Sequence, residues 1–122
     1  MRVLQAFLFL GFASLVTVAQ AQDLPIALNG FDPVLLTEGV ETEGSAELTG
    51  QDERYTYRFV SEENQQKFLE NKAQYKIQNE FCPVAPGIPG SSSLYAVHDG
   101  KIYIFATPGC IDAFSADPDS YI

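Results

Sequence analysis

Two stretches of this chain repeat each other in register. Tyr57-Arg58-Phe59-Val60-Ser61, followed by Phe68 and Tyr75, is matched by Tyr103-Ile104-Phe105-Ala106-Thr107, followed by Phe114 and Tyr121. Every pair lies 46 residues apart, with no gap. Aromatics and a hydroxyl residue recurring at one spacing imply two copies of one supersecondary unit, neither able to bury its aromatic face alone. The two copies therefore have to pack together.

Each copy reads the same way. Tyr-x-Phe alternates with period two, as in a half-buried strand. Ser61 or Thr107 then stands where a helix N-cap belongs. Glu62 and Glu63 suit the first turn of one helix, and Pro108 suits the first position of the other. Phe68 and Phe114 fall on the inner faces. The first helix ends near Asn71-Lys72, and Pro118 stops the second. Leu94–Val97 and Ile102–Phe105 flank His98-Asp99-Gly100-Lys101, and Asp-Gly favours a type I′ hairpin turn. The first strand is expected to pair with Ala46–Thr49 across a turn at Gly50–Glu53. The fold class that follows is α+β: two pseudo-repeated β-hairpin–helix units forming a small antiparallel sheet, with short helices packed on it.

The aromatic stripe of Tyr57, Phe59, Phe68, Tyr103, Phe105 and Phe114 has core spacing in both copies and is read as core rather than as a ligand pocket. Buried Tyr hydroxyls need partners, and the Asp32-Pro33 turn is one candidate. Thr37–Ser45 is an exposed loop rich in Glu, Gly and Thr. Lys76–Ser93 joins the two units and holds Pro83, Pro86 and Pro89. A connection of that length is functional or tied down.

Composition limits where the chain works. Met1 and Arg2 precede an apolar run from Val3 to Val18, and Ala19-Gln20-Ala21 places small residues at a cleavage site. Residues 1–21 read as a removable signal peptide, too short for a stable anchor. The expected location is periplasmic or secreted, with no membrane attachment after cleavage. The remaining 101 residues are expected to form one domain. They carry all 16 acidic residues and six basic ones, a net charge near −10. Such a surface disfavours nucleic acid and attracts cations or a basic protein partner.

At this point the residues resemble a known family. Asn29-Gly30-Phe31-Asp32-Pro33-Val34 resembles the opening G-Y-D-P-V of exported YHS-domain proteins. Tyr57-x-Phe59-x-Ser61-x-Glu63-Asn64, with Phe68 and Tyr75, is similar to their Y-x-F-x-S-x-E-N segment. Tyr103, Phe105, Thr107, Cys110, Phe114, Pro118 and Tyr121 match the spacing of the metal-associated YHS and TRASH pattern. Ala106 stands where that pattern has a Cys, and Asn64 stands in the first copy where Cys110 stands in the second. The resemblance spans Ala27 to Ile122 and implies a small domain for heavy-metal sensing, trafficking or resistance, with residues 22–122 as one YHS-like domain.

The chemistry rests on Cys82, Cys110 and His98. Cys110 falls at the third helical position, facing unpaired N–H groups that favour a thiolate. Two sulfurs from Cys82 and Cys110 and one nitrogen from His98 suit Cu(I) or Zn(II), with Asp99, Asp112 or a water completing the site. The other reading is a Cys82–Cys110 disulfide in an oxidising compartment, worth about 3 kcal/mol. The chain would then be a non-catalytic accessory domain for a protein or small-molecule partner. No C-x-x-C, C-x-x-C-H, G-x-S-x-G or glycine-rich phosphate loop occurs, and no catalytic constellation is evident.

Overall fold

A computed structural model describes residues 22–122. The signal-peptide reading of residues 1–21 lies outside the described residues. After a short 3-10 turn at Leu28–Gly30 come α1 (Pro33–Leu36), β1 (Ser45–Gln51), β2 (Thr56–Phe59), α2 (Glu62–Glu70) and α3 (Lys72–Tyr75). Then follow β3 (Ser91–His98), β4 (Lys101–Phe105), α4 (Pro108–Ala116) and a closing 3-10 turn at Pro118–Ser120. The architecture is the expected α+β one. β1 pairs antiparallel with β2, and β3 with β4. The strands form two two-stranded ladders rather than one continuous sheet.

The caps fall where the sequence placed them. Ser61 accepts from the Asn64 N–H at 3.1 Å, and Thr107 accepts from the Cys110 N–H at 3.2 Å. These bonds satisfy donors that a helix start leaves free. The helix exits also correspond. Asn71 and Asp117, again 46 apart, leave the helices with nearly the same backbone angles, φ −149 and −157. The second hairpin turns at Asp99-Gly100, with φ of 52 and 70, as a type I′ turn demands.

The first hairpin turns two residues later than its glycine implied. Gly50 pairs with Tyr57 inside the ladder, and Gln51 with Thr56. Asp52 nucleates the turn instead, its Oδ1 accepting from the N–H groups of Arg54 and Tyr55 at 2.8 Å each. Gly50 is needed for space: a Cβ there would stand 3.0 Å from the Phe68 ring.

Among the described residues, two buried clusters hold the fold together. The larger gathers Tyr57, Phe59 and Phe68 with Leu28, Val34 and Ile77, among others. The smaller has Cys82, Phe105 and Phe114 at its centre. β4 feeds both: Ile102 and Ile104 are fully buried in the larger cluster, and Phe105 in the smaller. The equivalent positions in β2, Thr56 and Arg58, are only half-buried. Tyr103 is likewise half-buried, at the edge of the smaller cluster. The Tyr57 hydroxyl does not reach the Asp32 turn. It donates to Asp52 at 2.8 Å and accepts from the Ile77 N–H at 3.0 Å. Burial, first, and the nearby Asp52 carboxylate push its pKa well above the usual tyrosine value.

The connection between units is tied down. Asn79 accepts from the Ile104 N–H and donates to its carbonyl, both at 2.9 Å, clamping the connection to the edge of β4. Gln78 N–H bonds the Ile102 carbonyl at 2.9 Å.

Candidate functional site

The best-defined polar feature is Asp32, a fully buried carboxylate. Buried carboxylates persist only when their oxygens are satisfied. Its Oδ1 caps α1, accepting from the N–H groups of Val34 at 2.8 Å and Leu35 at 3.2 Å. Its Oδ2 accepts from the Val60 N–H at 2.9 Å and from Asn64 Nδ2 at 3.0 Å. Pro33 supplies the helical first position without an N–H to lose. Asn64 is the third residue of α2, so this bond ties the helix start to the turn.

The second unit builds a related socket, with the same framing backbone pairings but no helix after its proline. Phe81-Cys82-Pro83-Val84 matches Phe31-Asp32-Pro33-Val34 at an offset of 50. The Asp32 N–H bonds the Thr42 carbonyl at 2.9 Å, and the Cys82 N–H bonds the Ile88 carbonyl at 2.7 Å. The Gly44 N–H bonds the Gly30 carbonyl at 2.8 Å, and the Gly90 N–H bonds the Glu80 carbonyl at 2.9 Å. From Thr42 and Ile88 onward the offset is 46, because the loop after Leu35 is four residues longer than the one after Ala85.

Cys82 therefore occupies the place of a carboxylate. The groups around its sulfur are the backbone N–H groups of Ala106, Ala85 and Val84 and the side chain of Cys110. They are the counterparts of Val60, Leu35, Val34 and Asn64. Burial raises the thiol pKa, but these hydrogen bonds outweigh it and hold Cys82 below the ordinary value of 9.0. Sequence reasoning looked for an activated thiolate at Cys110, from its helix position. The structure places the donor ring around Cys82.

Cys110 lies half-buried beside it. Its N–H is taken by Thr107, whose hydroxyl also donates to the Cys110 sulfur at 3.2 Å. Both cysteines are free thiols in this structure. The two sulfurs that the sequence paired are thus brought together.

His98 is placed elsewhere. It sits at the tip of the second hairpin, its Nε2 lying 3.5 Å from Asp99 and 3.3 Å from Asp119. Its ring meets Phe114 edge-on at 6.0 Å. Among the described residues no group of three His, Cys, Asp or Glu side chains is arranged to hold a metal. The three-ligand set Cys82, Cys110 and His98, with Asp99 or Asp112 completing it, is not assembled. The reason is topological: His98 belongs to the turn end of the β3–β4 ladder, whereas Phe105 and the start of α4 lie at its opposite end.

A cleft of about 430 Å3 lies by the first hairpin turn, lined by Gln51, Asp52, Glu53, Lys72 and Lys76 among others. Neither cysteine lines it. Among the described residues no helix is long and apolar enough to cross a membrane. No family model matches the chain, and neither a curated protein nor a solved structure does.

Proposed function

We propose that this protein is an exported YHS-type domain, periplasmic or secreted, that binds one soft metal ion through Cys82 and Cys110, with Cu(I) as the biological ion. The observation that carries this reading is that Cys110 packs against the cluster in which Cys82 is buried, where backbone N–H groups hold the Cys82 thiol below its ordinary pKa. A thiolate is the form that ligates metal, and soft sulfur ligands select Cu(I). Two ligands satisfy Cu(I), whereas a structural Zn(II) site takes four. His98, at the turn end of the β3–β4 ladder beside Asp99 and Asp119, is left out of this ligand set. The role is uptake or hand-over of the ion, without catalysis.

The same contact supports a second reading, in which Cys82 and Cys110 close a disulfide and the domain serves as an accessory module for a basic partner. Isolation from the export compartment without reductant separates the two. Thiol labelling gives two free cysteines under the metal reading and none under the disulfide reading. Titrating the reduced protein with Ag(I), a redox-stable stand-in for Cu(I), should load one ion by native mass. Equal loading of Cys110→Ser would sink the metal reading.

A further inference from the structure

The two half-units carry one socket with two different fillings. In the first, Asn64 Nδ2 reaches Asp32 Oδ2 at 3.0 Å. That amide–carboxylate bond, charge-assisted and buried, fastens the first turn of α2 to the Phe31–Val34 turn. In the second, the backbone pairings that frame the turn and the capped helix start are kept, although no helix follows Pro83 as α1 follows Asp32. The fastening differs too. Two thiols replace carboxylate and amide, and an S–H donor bonds far more weakly than an amide donor to a carboxylate.

The periphery of the second socket fits a weaker fastening. Among the described residues its cluster has three buried side chains, Cys82, Phe105 and Phe114. Its counterpart has ten. Apart from Phe114, no residue of α4 is buried. Phe81 and Ile88, on either side of Cys82 in the local pairing, are 50% and 51% exposed. The counterpart of Ile88 is Thr42, and that of Phe81 is Phe31, which packs against the larger cluster. A thinly covered element with few buried contacts opens at low cost.

We infer that a soft ion bridging Cys82 and Cys110 supplies the fastening that Asn64 and Asp32 supply permanently in the first half, so that metal loading latches α4 onto the Phe81–Val84 turn. The inference rests on the proposed metal binding and deepens it. The ligand class is a thiophilic ion content with two coordination partners, because the remaining groups directed at the Cys82 sulfur are N–H donors and not ligands. Binding to the fastened form alone stabilises it in proportion to ligand excess over Kd. The output of the domain is then the state of α4 and the C-terminal segment after it, rather than a chemical step.

The experiment is amide hydrogen exchange on the reduced protein, with and without Ag(I), read separately for α2 and α4. Silver should slow exchange in α4 about tenfold or more and leave α2 unchanged. Cys110→Ser should abolish the slowing. The double substitution Cys82→Asp/Cys110→Asn, which transplants the first-half pair, should bind no silver and show slow α4 exchange without it. Silver bound with α4 exchange unchanged overturns the latch and leaves metal binding standing. No silver bound overturns both. Fast α4 exchange in a folded transplant also overturns the latch. If the transplant does not fold, the wild-type and Cys110→Ser arms decide.

Discussion

Asn64 donates to Asp32 across 32 residues of chain, from the first turn of α2 to the turn before α1, at 3.0 Å. Removing the carboxylate strands three backbone N–H groups and one amide around a fully buried side chain. We expect Asp32→Ala to cost about 3–5 kcal/mol in urea unfolding, from several unsatisfied buried donors. Asn64→Ala should cost less, about 1–2 kcal/mol, because Oδ2 keeps the Val60 N–H. Equal losses at the two positions would mean that the carboxylate is not the hub.

Cys82 links stability to pH. Its folded pKa lies below the ordinary 9.0, so across the window between the two values the unfolded chain holds the extra proton. Stability then rises with pH through that window and is lost as pH falls through the folded value. Urea midpoints of the reduced, metal-free protein, compared with those of Cys82→Ser, should diverge in favour of the wild type on going from neutral pH towards 9. Parallel curves would show that the donor ring does not stabilise the thiolate.

Gly44 and Gly90 sit at matching points before the two ladders. A Cβ on Gly44 would stand 2.5 Å from the Arg58 carbonyl carbon, and one on Gly90 would stand 2.7 Å from Ile104 Cγ1. Alanine at either position should cost about 1–3 kcal/mol by overpacking. Gly44→Ala should be the worse, because it meets backbone and Gly90→Ala first meets a movable side chain. Thermal melts of the two variants check the order.

His98→Ala should leave silver stoichiometry unchanged and cost about 0.5–1.5 kcal/mol, the usual worth of the edge-on ring contact with Phe114 that it removes. Lost metal loading in this variant would restore the three-ligand site.

Much of the fold was legible because aromatics and caps report local geometry. Tyr-x-Phe, Ser61, Thr107 and Asp99-Gly100 each constrain backbone within a few residues, and each landed as read. The Gly50 turn misled because a glycine demanded by the Phe68 ring looks the same in sequence as one demanded by a turn. The contact of Cys82 with Cys110 was anticipated from chemistry, but its meaning was not. A fixed offset of 46 hides the match between Phe31-Asp32-Pro33-Val34 and Phe81-Cys82-Pro83-Val84, which needs an offset of 50. Allowing one gap between Leu35 and Thr42 would have exposed the shared socket. His98 was assigned by composition, being the chain's only histidine, and no pattern in sequence tells which end of a ladder a metal would occupy.

Ile77, Ile102 and Ile104 have a consequence for how the chain comes apart. All three belong to the second unit or its approach, yet they are buried in the cluster around Tyr57 and Phe68. Cut between Tyr75 and Ile77, the first piece loses the wall of its core. The second keeps only Cys82, Phe105 and Phe114 fully covered. The two halves share these buried side chains, so neither is expected to fold alone and the pair should melt in a single cooperative transition.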